Sequence, residues 1–246
     1  NVEYSAVTYN IGFGAYTPEF SFFMDGGTSS WAESEESVLK TVTEAGTLVA
    51  ELTPDFALFQ EVDLNATRSY HVNQYALLQE MLPEYYSAFA VNYDSAFLAY
   101  PFNQPHGKSN SGLVLFSRFP ITQSVRRSLP ISTTLTKFFD LDRCYSVSRI
   151  PVENGKELVI LTLHLSAYGN SDEIREGQIR MLCEEMEKEY EAGNYVICGG
   201  DFNHDLKALT DDGEERESWA YPFPRESLPE HFSFCIDGLS EAERTA

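Results

Sequence analysis

The sequence predicts a domain of the α/β or α+β class. Stretches with the alternating polarity of strands interleave with stretches that carry an apolar residue every three or four positions, as amphipathic helices do. The chain has 246 residues, of which 43% are hydrophobic, and this favours one large core over two small ones. No internal repeat, low-complexity linker or domain boundary is visible. No apolar run approaches the ~18 residues that a membrane-spanning helix needs.

The formal net charge of −21 indicates which partners suit the surface as a whole. Such a charge repels polyanions at long range, so it disfavours loose, salt-driven binding to nucleic acid. It is compatible with a local basic cleft, or with a metal ion that reverses the local field. The four cysteines have neither CxxC spacing nor zinc-type pairing with histidine, and we interpret them as small buried residues.

The first predicted elements are a strand, a loop and a helix. YSAVTYNIGFG alternates in polarity up to Asn10, which predicts a strand that ends there. The aromatic, glycine-rich stretch that continues to about Trp31 predicts a loop. Ser30 and Glu33 have the spacing of a capping box and predict the start of a helix that is closed by Thr53-Pro54. The apolar stripe of this helix comprises Val38, Val42, Ala45, Val49 and Leu52.

The rest of the chain continues this alternation. A short helix is predicted over NQYALLQEML, and a loop is predicted over YPFNQPHGKSNSG because this stretch is rich in turn formers. Strands are predicted for DFALFQEVD, YYSAFAVNY, LVLFS, CYSVSRIPV, ELVILTLHL and YVICGG. A helix over about 172–192 begins at Asn170 or Ser171 and ends on Gly193. Its apolar stripe comprises Ile174, Met181, Leu182, Met186 and Tyr190.

Four of the predicted strands end in a residue that can bind a metal or move a proton, namely Asn10, Glu61, His164 and Asp201. Strand ends in packed α/β sheets line a common crevice, so we expect these residues to converge. Magnesium prefers oxygen ligands and binds through one or two carboxylates plus substrate phosphate. Glu61 and Asp201 suit that role, and Asn10 supplies a neutral oxygen or a hydrogen bond.

Each of these residues by itself has an ordinary structural interpretation. Asn10 is typical of a turn, Glu61 of a solvated strand edge, and His164 of a hydrogen-bonded core histidine. The run GGDFNHD is different, because its polar residues follow a buried strand at once. Gly199 and Gly200 permit the backbone to approach a ligand closely.

The ordered motifs TYNIG, DFALFQEVD, SGLVLFSRFPI, LTLHLSAYG and GGDFNHD together resemble the endonuclease/exonuclease/phosphatase family. That family includes pancreatic-type deoxyribonucleases, apurinic-site endonucleases, neutral sphingomyelinases and inositol polyphosphate 5-phosphatases. The resemblance covers essentially the whole chain. It implies an α+β fold, specifically a four-layered α/β/β/α sandwich of two mixed β-sheets with outer helices, and an active site at one edge.

The resemblance also implies a role for each of five residues. Asn10 matches the asparagine near the metal and phosphate, and Glu61 matches the glutamate that binds Mg²⁺, for which Mn²⁺ is an alternative. His164 matches the histidine on the phosphate side. Asp201 matches the water-orienting aspartate, and Asn203 matches the asparagine that holds a phosphate oxygen.

The chain departs from the family pattern in one respect. Family members end with a Ser-Asp-His segment whose histidine activates the water, and no Asp-His dipeptide occurs here. We interpret residues 1–246 as one domain of this family truncated before that segment, in preference to a protein that has lost catalysis. The first residue is Asn1 rather than Met, so the sequence leaves open whether a signal peptide or anchor precedes it. The cellular compartment is left open for the same reason.

Weaker candidates lie outside the main motifs. Arg143 stands where related nucleases place a phosphate-contacting arginine, although a solvated strand residue explains it equally well. His106 and Lys108 are candidate anion contacts in a loop that is otherwise ordinary. Arg126-Arg127 is interpreted as a solvated face, and FSFFMDGG either as a lid over an apolar leaving group or as a packed cluster.

Three functions remain from the sequence. The first is a Mg²⁺-dependent hydrolase of a small or lipid-like phosphodiester or phosphomonoester. The second is a DNA endonuclease of the same family, which the net charge disfavours. The third is a non-catalytic binding module that lacks the terminal histidine. We expect a monomer, and the sequence leaves membrane contact open.

Overall fold

The computed structural model describes residues 3–131, 142–167, 172–206, 220–240 and 243. Its helices are α1 (Glu35–Leu52), α2 (Gln74–Met81) and α3 (Asp172–Glu191). Its strands are β1 (Ala6–Asn10), β2 (Phe56–Asp63), β3 (Tyr86–Leu98), β4 (Gly107–Ser117), β5 (Gln123–Ser128), β6 (Cys144–Pro151), β7 (Glu157–His164), β8 (Tyr195–Asp201), β9 (His204–Asp205) and β10 (Tyr221–Pro222).

The larger strands form two mixed sheets. The first has the order β1-β2-β4-β3, and the second has the order β5-β6-β7-β8. Each contains one parallel pair, β1 with β2 and β7 with β8, and the other neighbours are antiparallel. Strands β9 and β10 form a separate parallel ribbon.

The core is divided into layers because β2 and β7 bury both faces. In β2, Phe56 and Leu58 face the second sheet, where they pack with Ile160 of β7. Ala57 and Phe59 face the opposite way and pack against the buried stripe of α1. On the far side, Leu161 of β7 packs with Leu182 of α3. Strands covered on both faces are apolar at successive positions. The predicted α+β sandwich of two mixed sheets with outer helices is therefore confirmed.

Helix α1 begins later than the capping-box spacing predicted. Its N-cap is Ser34, whose hydroxyl accepts a 3.0 Å hydrogen bond from the Ser37 N–H. Ser30 is buried and donates instead to the Gln104 carbonyl at 2.8 Å. The prediction that Ser30 starts the helix is thus wrong, because a contact distant in sequence takes up its hydroxyl. The stripe from Val38 to Val49 is buried, but Leu52 in the last turn is 56% exposed.

Two further elements differ from the sequence-based predictions. The predicted loop from residue 100 to 112 is a loop only in its first half, because β4 begins at Gly107 and pairs with β3. Strand β5 was not predicted, and among the described strands it pairs with β6. Arg126, within β5, is not a purely solvated residue, since its Nε donates to the Val91 carbonyl at 2.6 Å.

Helix α3 agrees with its predicted range, and Gly193 just beyond it has a left-handed φ of +80°. Leu182 and Met186 of the predicted stripe are buried, whereas Tyr190 is 44% exposed. The predicted caps, at residues 170 and 171, lie outside the described residues. Among the helices of the described part of the chain, none has the length and hydrophobicity that a membrane span requires.

Candidate functional site

A pocket of about 970 Å³ opens where both parallel strand pairs end. Register pairs Asn10 of β1 with Gln60 in the first sheet, and His164 of β7 with Asp201 in the second. The carboxyl ends of parallel strands meet at one edge of a sheet, and here the two edges adjoin. The pocket lining includes all five residues that the family motifs single out: Asn10, Glu61, His164, Asp201 and Asn203.

Glu61 reaches the pocket through an irregularity in β2 rather than from a strand end. The pairing of β2 with β4 shifts register between Phe59 and Val62, and Glu61 has a left-handed φ of +55°. The strand then continues to Asp63. A bulge of this kind redirects a side chain, and a non-glycine residue in this region costs roughly 1–3 kcal/mol. The expectation that Glu61 terminates its strand is wrong in this detail.

The side-chain amide of Asn10 joins the two sheets. Its Nδ2 donates to Glu61 Oε1 at 3.0 Å and to Asp201 Oδ2 at 2.9 Å. Its Oδ1 accepts from the Gly12 N–H at 2.9 Å, which fixes the orientation of the amide. The His164 Nε2 atom lies 3.9 Å from Glu61 Oε1 and 3.7 Å from Asp201 Oδ2. One amide and one imidazole therefore lie between two carboxylates.

Asn203 holds the turn that follows β8. It has a φ of +49°, and its backbone N–H donates to Asp201 Oδ1 at 2.9 Å. Its Nδ2 donates to the Leu165 carbonyl at 2.8 Å. The Asp201 carboxylate is thus oriented from one side by Asn10 and from the other by Asn203.

The two glycines before Asp201 are required by strand packing. Gly200 has a φ of +139°, and a Cβ added there would lie 2.1 Å from the Leu163 carbonyl oxygen of β7. A Cβ on Gly199 would lie 3.2 Å from Leu58 of the other sheet. Neither glycine lines the pocket among the described residues.

The two carboxylates of the site have opposite pKa shifts. Desolvation raises the pKa of Glu61, and its effect exceeds the opposing effects of Arg68, the Asn10 hydrogen bond and Arg143. Desolvation also acts on Asp201, but His164, the hydrogen bonds from Asn10 and Asn203, and Arg143 together hold the pKa of Asp201 below its usual value. Asp201 therefore remains ionised at neutral pH, and Glu61 gains most from an added cation.

Arg68 is a site residue that sequence reasoning missed. It lines the pocket although it is only 6% exposed, and it forms a two-pronged ion pair with the buried Asp63, Nε to Oδ2 at 3.1 Å and Nη2 to Oδ1 at 2.9 Å. Its guanidinium lies 3.8 Å from the ring centroid of Phe13. No local motif marks Arg68, since its partners come from a neighbouring strand and loop.

The weaker candidates divide into two groups. Arg143 lines the pocket. His106 and Lys108 are absent from the described pocket lining. His106 is completely buried and contacts the Ser30 carbonyl through Nδ1 at 3.1 Å, whereas Lys108 is exposed. The structure therefore does not bring these two residues to the proposed anion site.

The FSFFMDGG loop lines the pocket through Phe22, Met24 and Asp25, together with Tyr16 from the preceding residues. It is also a packed aromatic cluster, since Phe22 is buried and its ring centroid lies 5.4 Å from that of Phe13. Desolvation raises the pKa of Tyr16, and the charges of Glu61 and Asp25 raise it further. Tyr16 and Asp25 were not identified from the sequence.

The oxygen donors of the site suit a single hard cation, whose remaining coordination positions are left for water and substrate. Glu61 and Asp201 offer carboxylate oxygens, the ligands that magnesium prefers. The Asn10 oxygen, by contrast, accepts from the Gly12 N–H and its NH2 faces the two carboxylates, so Asn10 orients the acids rather than offering its oxygen to the cation. The raised pKa of Glu61 means that the ionised carboxylate is incompletely compensated by protein groups. Within the described ranges no group of three or more His, Cys, Asp or Glu side chains is placed to hold a metal ion, so any cation here would have at most two such ligands. An open site with few protein ligands is typical of Mg²⁺.

Solved structures share this fold at low sequence identity. An endonuclease/exonuclease/phosphatase family protein from Leptotrichia buccalis has a TM-score of 0.55 and 17% identity over 85% of this chain and 71% of its own. A humanized D. rerio TDP2 has a TM-score of 0.53 and 15% identity over 87% and 72%. The endonuclease/exonuclease/phosphatase from Beutenbergia cavernae has a TM-score of 0.52 and 20% identity over 74% of this chain, which spans only 43% of that protein.

A search of curated proteins gave no match. The model of the Endonuclease/Exonuclease/phosphatase family, by contrast, matches residues 7–228. This range contains every residue of the pocket and both sheets apart from Ala6, the first residue of β1. The resemblance inferred from the motifs is confirmed, and the chain belongs to the Endonuclease/Exonuclease/phosphatase family.

Proposed function

We propose that the chain is a Mg²⁺-dependent phosphoester hydrolase in which water attacks phosphorus in line with the leaving oxygen. The observation that carries the proposal is the Asn10 amide joining Glu61 to Asp201 across the two sheets, with His164 within 4 Å of both carboxylates. Members of the family are hydrolases that act on phosphoester bonds and generally use divalent metal ions. The choice of magnesium is inferred from the oxygen donors.

The residues divide the chemistry among them. A bound Mg²⁺ would polarise the phosphoryl group and stabilise the leaving oxygen, and Glu61 would hold it, with its carboxylate positioned by the Asn10 amide. Asp201, which is kept ionised, orients the attacking water and accepts its proton. His164 donates to a phosphate oxygen from Nε2 as negative charge develops there. Asn203 keeps one amide N–H for the phosphate, because the other is used by Leu165.

Pocket size and charge favour a small or headgroup-sized substrate. A volume of about 970 Å³ falls within the range of small-molecule sites. Arg143 also lines the pocket and adds a cation for the phosphate. The net charge of −21 repels long polyanions, so a nucleic acid is the less favoured substrate.

The test uses the full-length protein with Mg²⁺, Mn²⁺ or a chelator. Hydrolysis is measured on bis(p-nitrophenyl) phosphate, a phospholipid, an inositol phosphate and plasmid DNA, and thermal melting reports metal binding independently of turnover. We expect Asp201→Asn to lower kcat by roughly 100-fold or more, while Mg²⁺ still raises the melting temperature. Glu61→Gln should instead reduce the rise in melting temperature that Mg²⁺ induces.

Glu44→Gln, which removes an exposed acid of α1, is the matched control. It should change neither kcat nor the rise in melting temperature that Mg²⁺ induces. Full hydrolysis in chelator would disprove the metal dependence. Unimpaired turnover in both the Asp201 and Glu61 variants would place the chemistry elsewhere.

A further inference from the structure

One wall of the pocket carries an acid–phenol pair for which the hydrolysis proposed above has no use. Tyr16 donates its hydroxyl proton to Asp25 Oδ2 at 3.1 Å, and both side chains line the pocket that holds Glu61 and Asp201. Tyr16 is 49% exposed, so its ring and oxygen remain accessible to a ligand.

This wall is built to hold Tyr16 in place. A Cβ on Gly12, which has a φ of +52°, would lie 2.3 Å from Tyr16 Cδ2, so only glycine lets the ring rest on the backbone. The Tyr16 ring centroid lies 4.9 Å from that of Phe20 and 5.8 Å from that of Phe13. Tyr16 is therefore packed on three sides by its own segment.

The segment that carries Asp25 is also fixed. Two hydrogen bonds of 2.9 Å close its turn, from the Gly27 N–H to the Phe22 carbonyl and from the Phe23 N–H to the Ser29 carbonyl. The Trp31 indole N–H then donates to the Pro105 carbonyl at 2.7 Å, which ties the segment to the β3–β4 connection. The Asp25 carboxylate is thus presented by an ordered scaffold and not by a loose loop.

The pair presents acceptors to the pocket. A phenol has one O–H, and that of Tyr16 points at Asp25, so the remaining lone pairs of the Tyr16 oxygen accept. An ionised carboxylate only accepts. A negatively charged phosphate would be repelled by Asp25, so the complementary part of a phosphoester is a neighbouring O–H or N–H donor.

We propose that Asp25 and Tyr16 form the subsite for the group esterified to the scissile phosphate, and that they select groups carrying a hydrogen-bond donor, either a hydroxyl or a primary ammonium. The inference rests on the proposed phosphoester hydrolysis and defines its substrate class. Tyr16, Phe22 and Met24 supply the apolar surface for the carbon skeleton between the phosphate and the donor.

Four phosphomonoesters of similar size test the subsite by calorimetric titration in Mg²⁺, with inorganic phosphate as the reference ligand. Ethyl phosphate has no donor, 2-hydroxyethyl phosphate has a hydroxyl, and 2-aminoethyl phosphate has an ammonium. Phosphocholine has the positive charge but no N–H. In the wild type we expect the hydroxyl and ammonium esters to bind roughly tenfold more tightly than ethyl phosphate. The affinity of phosphocholine should exceed that of ethyl phosphate by a smaller factor than the affinity of 2-aminoethyl phosphate does.

Variants test whether the Tyr16–Asp25 pair causes the preference for esters that carry a hydrogen-bond donor. Asp25→Asn should bring the three smaller esters to within about threefold of one another, because the charged acceptor is lost. Tyr16→Phe should weaken the preference without affecting inorganic phosphate. Glu19→Gln removes an exposed acid from the same segment and should leave the preference unchanged.

The outcomes separate the two proposals. Equal affinities for the four esters in a wild type that binds inorganic phosphate would overturn the subsite alone, as would an unchanged preference in Asp25→Asn. Phosphocholine binding as tightly as 2-aminoethyl phosphate would show that charge, not a donor, is selected, and would also overturn it. Failure of inorganic phosphate to bind in Mg²⁺ would overturn the proposed function and the subsite with it.

Discussion

Asn10 and Asp201, the last residues of β1 and β8, are joined by a 2.9 Å hydrogen bond although 191 positions separate them in the chain. The bond runs from one sheet to the other, at the edge where both parallel pairs end. Because the same amide nitrogen also donates to Glu61, one neutral side chain keeps two carboxylates of the site in a fixed relation.

Removal of this amide should weaken the fold in a metal-dependent manner. Asn10→Ala leaves Glu61 and Asp201 without their shared donor, and we expect the free energy of unfolding in chelator to fall by about 1–3 kcal/mol. Mg²⁺ should restore part of the loss, because a cation relieves the repulsion between the carboxylates. Urea denaturation with and without Mg²⁺ measures both effects.

Asn10→Asp provides the paired comparison, since it adds a third negative charge at the same place. Its stability in chelator should be lower than that of Asn10→Ala, and its gain from Mg²⁺ should be larger. An Asn10→Ala variant as stable as the wild type in chelator would contradict the bridging role.

The buried pair of Arg68 and Asp63 should be strongly coupled. The Asp63 side chain is fully buried, so Arg68→Met leaves an uncompensated charge and should cost about 3–5 kcal/mol. The double variant Arg68→Met/Asp63→Leu should be destabilised by less than the sum of the two single variants, with a coupling of roughly 1–3 kcal/mol. A double-mutant cycle from urea denaturation provides the measurement, and additive effects would mean that the pair does not act as a unit.

Acid should destabilise the protein through His106. Burial lowers the pKa of His106 from 6.5 to about 4, so between these values the unfolded chain binds a proton that the folded chain does not. This contribution to stability is complete above about pH 6.5 and is lost as the pH falls towards 4, by up to about 3 kcal/mol.

His106→Gln should flatten the dependence of unfolding free energy on pH across that window. His71→Gln, at an exposed histidine, is the matched control for the loss of one imidazole. An identical pH dependence in wild type and His106→Gln would show that the acid sensitivity arises elsewhere.

Gly12→Ala should disturb the pocket wall, whereas Gly155→Ala should not. Both glycines have left-handed φ values, +52° and +76°, so both substitutions incur a backbone cost of roughly 1–2 kcal/mol. Only the Gly12 Cβ meets Tyr16, since nothing lies within 4 Å of the corresponding position at Gly155. Gly12→Ala should therefore be the more destabilising and should also reduce affinity for 2-hydroxyethyl phosphate, as judged by melting and titration. Equal effects of the two would mean that the Tyr16 ring moves aside freely.

The amino-acid sequence by itself determined the fold class, the order of the main elements and the family. Strands such as β2 and β7 are apolar on both faces, and the α1 stripe from Val38 to Val49 repeats at helical spacing, so burial could be read from local pattern. Asn10, Glu61, His164 and Asp201 could be singled out because each follows an apolar run, and the order of their motifs identified the family.

Only the tertiary structure decided the roles of residues that lie outside clear helical or strand periodicity. The serine-rich start of β4 has the composition of a loop and becomes a strand because β3 pairs with it, and Ser30 does not cap α1 because Gln104 takes up its hydroxyl. The bulge that aims Glu61 arises from its register against β4. The Tyr16–Asp25 pair reaches the pocket because Gly12 lets the Tyr16 ring rest on the backbone and the loop closes upon itself. Local periodicity reports burial, whereas strand pairing, bulges and loop contacts depend on partners distant in sequence, which no single stretch of the chain encodes.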